Sequence, residues 1–288
     1  MGIFLVIAFI FFIGSLTGWV LELFYRKFIS KANPERKWIN PGFLVGPYLP
    51  LYGFGLVAMY ILSQIDVSFI QNKTAQQIIL FILMAIVMTI IEYIAGVIFI
   101  KGMKVKLWDY TNEWGNIQGI ICPRFSFYWA VLSAIYYFLI HPHILNSIYW
   151  LAEHLAFSFV VGFFYGIFLI DICYSMQILV KVKKFAIDHD IIVKYQELKR
   201  SIRLAKEEYQ EKKSFVFAFK SEHSLSEHLK RYLELQSAFV NDTLEELEEK
   251  VSAKLDEVNS KLEEKTKPIQ DRLEEVNNKL EEKSKPKK

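Results

Sequence analysis

The chain has 288 residues, of which 53% are hydrophobic and 16% aromatic, and its 34 basic and 31 acidic side chains leave a net charge of +3. That charge is too small and too evenly spread for a nucleic-acid surface. Its distribution excludes a wholly water-soluble chain: residues 1–180 carry ten Lys/Arg and eight Asp/Glu, whereas residues 181–288 carry 24 and 23, so the first part is composed for lipid and the second for water.

Five stretches are apolar enough to span a hydrocarbon core that needs about 20 helical residues. They are 3–24, 43–63, 78–100, 118–140 and 148–180, the last long enough to run beyond the interface. The first lacks a basic leader and a small-residue cleavage site and is followed by Arg26 and Lys27, so it reads as an uncleaved helix. Basic residues set the orientation. Arg26, Lys27, Lys31, Arg36 and Lys37 follow span one, Lys101, Lys104 and Lys106 follow span three, and Lys181, Lys183 and Lys184 open the tail; the second loop offers Lys73 and the fourth neither Lys nor Arg. This predicts a multi-pass protein of the cell membrane with its N-terminus outside and its C-terminus cytoplasmic.

The second span opens unusually, on "NPGFLVGPYLPLYGFG" at 40–55. Asn40 can cap a helix that tolerates Pro41 in its first turn, while Pro47 and Pro50 fall inside the span and free carbonyls that must find partners in protein. The skeleton Gly42-xxx-Gly46-xxx-Pro50 returns as Gly115-xxx-Gly119-xxx-Pro123, each behind a membrane glutamate, Glu22 or Glu92, and a Trp-containing basic loop. A duplicated two-helix unit of parallel orientation accounts for this. Small-xxx-small spacing, also present at Gly14/Gly18 and Gly162/Gly166, points first to tight helix packing and second to ligand contact.

Ionisable residues within membrane helices each cost about 2.5–3.5 kcal/mol on insertion scales and face the interior. Glu22, Glu92, Arg124 and Asp171 all fall in the cytoplasmic half and come from four different spans. Two readings stay open. Arg124 pairs with Glu92 or Asp171 as a staple while Glu22 joins Arg26, or the excess of acid lines a cytoplasmic cavity for a cation, protons or an amine-bearing headgroup, extended by Asp109, Asn112, Glu113 and Asn116. Cys122 and Cys173 read as buried reduced thiols. His141 and His143 lack a third ligand, so no metal is expected, and no phosphate-binding loop or common hydrolase motif occurs; no cofactor and no enzymatic activity are expected.

Beyond 180 the last span can continue as one rod through "KYQELKRSIRLAKEEYQEKK", with Phe215, Phe217 and Phe219 forming an apolar turn and residues 181–235 an amphipathic helical segment. Over 236–288, "LDEVNSKLEEKTKP" returns after 18 residues as "LEEVNNKLEEKSKP", five helical turns. Leu255, Val258, Leu262, Leu273, Val276 and Leu280 thus share one face, suited to a coiled coil or a docked helix. Pro268 and Pro286 argue against an uninterrupted rod, and a solvated tail is the other reading.

The run "GWVLELFYRKF", then "NPGFLVGPYLPLYGFG", "EYIAGVIF" and "WDYTNEWGNIQGIICPRFSFYW" resembles the bacterial family labelled putative ABC-transporter permease, CmpB-like, over about residues 10–175. The resemblance implies a small polytopic permease-like component and brings no catalytic residue. The resulting expectation is an all-α membrane protein with domains at 1–180, 181–235 and 236–288. It handles a small molecule, cation or lipid at a polar cytoplasmic-side cavity formed by Glu22, Glu92, Arg124 and Asp171. Because no nucleotide site is present, any ATPase is a separate chain, and five spans point to a homo-oligomer or hetero-assembly. The alternatives are a non-transport scaffold whose coiled tail, 236–288, recruits a cytoplasmic partner, and an intramembrane enzyme using the acid cluster.

Overall fold

The computed structural model describes residues 2–30, 33–209 and 219–284. Among the described residues the fold is all-α apart from one two-residue strand pair. Helices α1 (Ile3–Phe28), α2 (Pro50–Ser63) and α3 (Lys73–Met103) are followed by β1 (Val105–Lys106) and α4 (Pro123–Ile135). A π-turn (Tyr136–Ile140) carries α4 into α5 (His141–Glu153), and a 3₁₀ turn (Leu155–Phe157) leads to α6 (Ser158–Asp188). Beyond these lie β2 (Val193–Lys194), α7 (Tyr195–Glu208) and α8 (Leu225–Ser284).

Among the described residues, four helices are long and apolar enough to cross a membrane: α1, α3, the combined Pro123–Glu153 and Leu155–Asp188. The second expected span is shorter than 43–63. Pro50 stands in the first turn of α2, and 14 residues give roughly 21 Å of helix against a core of about 30 Å. Residues 40–49 are not helical, so Asn40 caps no helix, and Pro47 and Pro50 precede or open α2 where a missing N–H costs nothing. The fourth helix is displaced likewise: it starts at Pro123 rather than 118 and runs on to 153. Its π-turn ends two residues before Pro142, which lacks the N–H that a regular turn would use. The stretch 148–180 is broken at His154, whose backbone leaves the helical region.

Small residues do part of the expected packing. A Cβ at Gly18 would lie 2.1 Å from the Cβ of Tyr52, and one at Gly14 3.1 Å from the Cα of Gly53, so α1 and α2 approach backbone to backbone. Behind this seam Ile10, Met84, Met88, Trp129 and Tyr136 form the central apolar cluster. Gly162 and Gly166, by contrast, meet nothing within 4 Å, and Gly42, Gly46, Gly115 and Gly119 lie outside helices. For these six the helix-packing expectation is replaced by loop geometry or an open helix face.

The tail does not leave as one rod. After α6 stops at Asp188, Asp190 adopts a left-handed conformation (φ 49°) and β2 returns to pair in parallel with β1, Val193 opposite Val105. The amphipathic α7 then buries Tyr195, Leu198, Ile202 and Ala205. Around it Lys37 Nζ meets Glu207 at 2.7 Å and Arg203 meets Glu35 at 3.0 Å; the hydrogen bond from Lys37, with Arg203 beside it, holds the Glu35 carboxyl below its usual range. The basic loops after α1 and α3 and the start of the tail therefore meet. Phe219 packs on Tyr195, ring centroids 5.5 Å apart; Phe215, Phe217 and Pro286 lie outside the described residues.

By its contacts the chain divides into Met1–Leu229 and Lys230–Lys288. Helix α8 runs through Pro268 without a break, contrary to the expected punctuation.

Candidate functional site

The proline-rich segment is held by a single carboxylate. Asp171, near the middle of α6 and 8% exposed, accepts hydrogen bonds from Val45 N (3.1 Å), Gly46 N (2.7 Å), Tyr48 Oη (2.6 Å) and Ser175 Oγ (2.8 Å). Two consecutive amides pointing at one acid satisfy donors that α2, starting late, leaves unpaired. Glycine at 46 lets the Tyr48 ring fold back, since a Cβ there would lie 2.3 Å from it. The other edge of the segment is held too: Asn40 accepts from Trp19 Nε1 at 2.7 Å and donates to the carbonyls of Leu44 and Val45, and Leu49 N donates to Ser15 O at 2.9 Å.

On the edge that meets α7 the segment offers carbonyls to that helix. Lys199 Nζ donates to Asn40 O (3.1 Å) and Gly42 O (2.9 Å), and Tyr195 Oη to Phe43 O (3.4 Å). Burial, with the Arg26 charge adding to it, brings the Lys199 amine down to about 7. A neutral amine keeps both bonds, having two N–H groups for two carbonyls. Below pH 7 the amine is protonated in the folded and unfolded states alike, and the burial penalty is fully present. Between about 7 and the unfolded value near 10.4 the unfolded chain binds more protons. Docking of α7 should therefore strengthen as pH rises from 7 to 9. Amide exchange across 195–208 reads this directly, and Lys199→Met, lacking the titrating group, should flatten the slope; an unchanged slope in that variant would assign the effect elsewhere.

Glu22 and Glu92 form a second centre. Glu22 pairs with Arg26 at 2.9 Å and accepts from Tyr52 Oη at 3.1 Å. Glu92, 2% exposed, accepts from Tyr110 Oη at 3.1 Å and lies beside the Trp129 indole N–H, while its buried Oε2 completes no hydrogen bond of ordinary geometry among the described residues. Tyr110 is fixed by stacking on Phe125 at 4.0 Å, and Tyr52 lies 5.1 Å from the Trp129 ring. Glu22 acts electrostatically on Glu92, so two acids share this region with one arginine already engaged by the first.

The four ionisable residues are thus not gathered into one cluster. Arg124 occupies the first turn of α4, partly exposed, and pairs with Glu113 at 3.1 Å; the expected staple to Glu92 or Asp171 is absent because the helix starts five residues later than the apolar run. Of the loop acids, Asp109 joins Lys106 and Lys194 at 3.2 Å each. The repeated skeleton has common backbone features: Gly42 and Gly115 both have positive φ (75° and 65°), and Pro50 and Pro123 both open helices. Cys122 is buried but Cys173 is exposed, and both are free, so only the first is an interior thiol.

Sequence reasoning missed Tyr48, Tyr52, Tyr110 and Lys199. In a chain with 15 tyrosines nothing local marks the three whose hydroxyls meet acids, although the amphipathic period of 195–208 signals that α7 docks. A cleft of about 530 Å³ lies elsewhere, between the first half of α1 and α5, lined by Phe9, Phe12, His143, Asn146, Trp150 and Phe157 among others.

Compared with known families, residues 9–176 match the family described as Putative ABC-transporter type IV. No curated protein and no solved structure matches the chain.

Proposed function

Because the chain belongs to the family described as Putative ABC-transporter type IV, with more than half its length inside the match, we propose that it is the membrane component of a transport assembly and handles a cation or an amine-bearing small molecule at Glu92. One observation carries this reading: a carboxyl oxygen, buried in an apolar helix beside the Trp129 indole, that completes no hydrogen bond of ordinary geometry among the described residues. An uncompensated buried acid is costly, and an intramembrane acid that the fold leaves half-satisfied marks a place for a ligand that brings the missing positive charge. Tyr52, Tyr110 and Trp129 supply aromatic faces suited to an ammonium, and Glu22 keeps the region acidic.

Five spans, with α2 and its bent approach forming the short one, and an outside N-terminus fit the basic loops that meet around α7. The paired glycines and helix-opening prolines favour a duplicated unit. An ATPase, if it powers the assembly, is a separate chain that docks at the cytoplasmic end. The scaffold reading draws on α8, whose apolar stripe is solvent-exposed.

A hydrophobic carbodiimide tests the site in the purified protein in mild detergent. The reagent should modify Glu92, located by mass spectrometry of the digest, and millimolar ethanolamine or a metal cation should slow that modification. A Glu92 that reacts at the same rate whatever cation is added would overturn the ligand reading and leave the acid a structural feature.

A further inference from the structure

Glu22 and Arg26 stand one turn apart near the end of α1. Arg26 Nε meets Glu22 Oε1 at 2.9 Å, with the two side chains 20% (Glu22) and 17% (Arg26) exposed. The other oxygen of Glu22 accepts from Tyr52 Oη at 3.1 Å, and that hydroxyl also lies in the field of Arg26 and Glu92. On the opposite side Tyr110 Oη donates to Glu92 at 3.1 Å and lies in the field of Glu22. Each acid therefore acts on the tyrosine bonded to the other, so the two carboxyls and the guanidinium belong to one electrostatic region. Within it the buried Oε2 of Glu92 is the acceptor left without a hydrogen bond of ordinary geometry.

Charge counting selects the ligand. Two carboxylates and one guanidinium leave a single negative charge. The neighbouring cations leave that count standing: Arg124 is matched by Glu113, and Lys199, in the field of Arg26, is the buried amine whose burial brings it down to about 7. Net charge left in a buried site keeps its desolvation cost, so the favoured ligand brings the sum to zero. A singly charged cation does this, whereas a doubly charged one adds an unmatched positive charge beside Arg26, a like-charge contact that costs affinity. We infer that Arg26 sets the charge class of the ligand taken at Glu92: by holding one of the two negative charges it makes the site one for a monoammonium ion and disfavours a diamine. Arg26 does this through Glu22, without touching the ligand. The inference rests on the reading of Glu92 as a ligand site.

The test compares ethanolamine with putrescine by calorimetric titration of the full chain in mild detergent at about pH 8, where the Lys199 amine is mostly neutral. The parent should bind ethanolamine at least about tenfold more tightly than the diamine. Arg26→Gln leaves both carboxylates unmatched and should move this ratio at least about tenfold towards the diamine, while Arg26→Lys, which keeps the charge, should retain the parent ratio. Glu22→Gln should weaken binding of both amines. Combining Arg26→Gln with Glu22→Gln restores the single negative charge and should restore the preference for ethanolamine, a rescue that a lost structural contact would not give. The parent ratio and the double variant decide the matter even where Arg26→Gln is too unstable to purify. Equal affinity of the parent for the two amines, an unchanged ratio in Arg26→Gln, or no rescue in the double variant would overturn the role of Arg26 and leave Glu92 as a ligand site. Ethanolamine binding that is absent from the parent, or that survives Glu92→Gln, would remove the site at Glu92 and this role with it.

Discussion

Asp171→Asn should destabilise the membrane domain by about 3–5 kcal/mol, the largest loss expected from any single polar substitution. The carboxylate accepts four hydrogen bonds, two of them from the consecutive amides of Val45 and Gly46. Asparagine keeps one acceptor oxygen, and its NH₂ must face donors on the other side. The Tyr48 hydroxyl can turn to accept; the Gly46 N–H cannot. Each charge-assisted bond contributes about 1.5–3 kcal/mol, and a donor left buried and unpaired adds its own desolvation cost. Tyr48→Phe removes one hydroxyl and leaves both amides satisfied, so it should cost about 1 kcal/mol. Equilibrium unfolding in mixed micelles gives both values, and amide exchange at Val45 and Gly46 should accelerate in the asparagine variant alone. If Asp171→Asn unfolds within 1 kcal/mol of the parent, the carboxylate is not what holds the segment. The loss should reach α7 as well, since Lys199 is bonded to the carbonyls of the same segment.

Glu92→Gln should behave in the opposite way, leaving stability unchanged or raising it by about 1–3 kcal/mol. The amide retains an acceptor for Tyr110 and removes the penalty of a buried carboxyl that has no compensating cation among the described residues. Stability gained by deleting a buried polar group is the pattern of a site kept for function. The same variant should lose carbodiimide modification at position 92. A loss of more than about 2 kcal/mol would make Glu92 a structural staple and withdraw the argument for a ligand. Asp171 and Glu92 thus separate two roles for intramembrane acids: one saturated by its own fold, the other left open.

Several features were legible from residues alone. Charge partition between the two halves, the apolar runs and the basic loops identify a polytopic membrane protein, because the cost of placing charge in lipid acts on composition whatever the tertiary arrangement. The Glu22–Arg26 pair was readable too, since spacing of four on a helix brings the two side chains together. Where each helix begins was not readable. Hydropathy does not distinguish an apolar helix from an apolar loop, so residues 43–49 and 118–122 looked like span when they are the approaches to Pro50 and Pro123.

That difference decided the site. Moving the start of α4 to Pro123 put Arg124 in its first turn beside Glu113 and removed it from the acids. Unwinding 40–49 exposed amides that only a carboxylate from a distant helix satisfies, 125 residues further along the chain at Gly46. Which acid meets which donor depends on helix rotation and on contacts between remote elements, and no local pattern encodes these. The sequence by itself determined the solvent of each half and the chemistry available in the membrane; the tertiary structure alone decided that Asp171 is spent on holding the backbone while Glu92, beside Tyr110 and the Trp129 indole, keeps an oxygen that completes no hydrogen bond of ordinary geometry among the described residues.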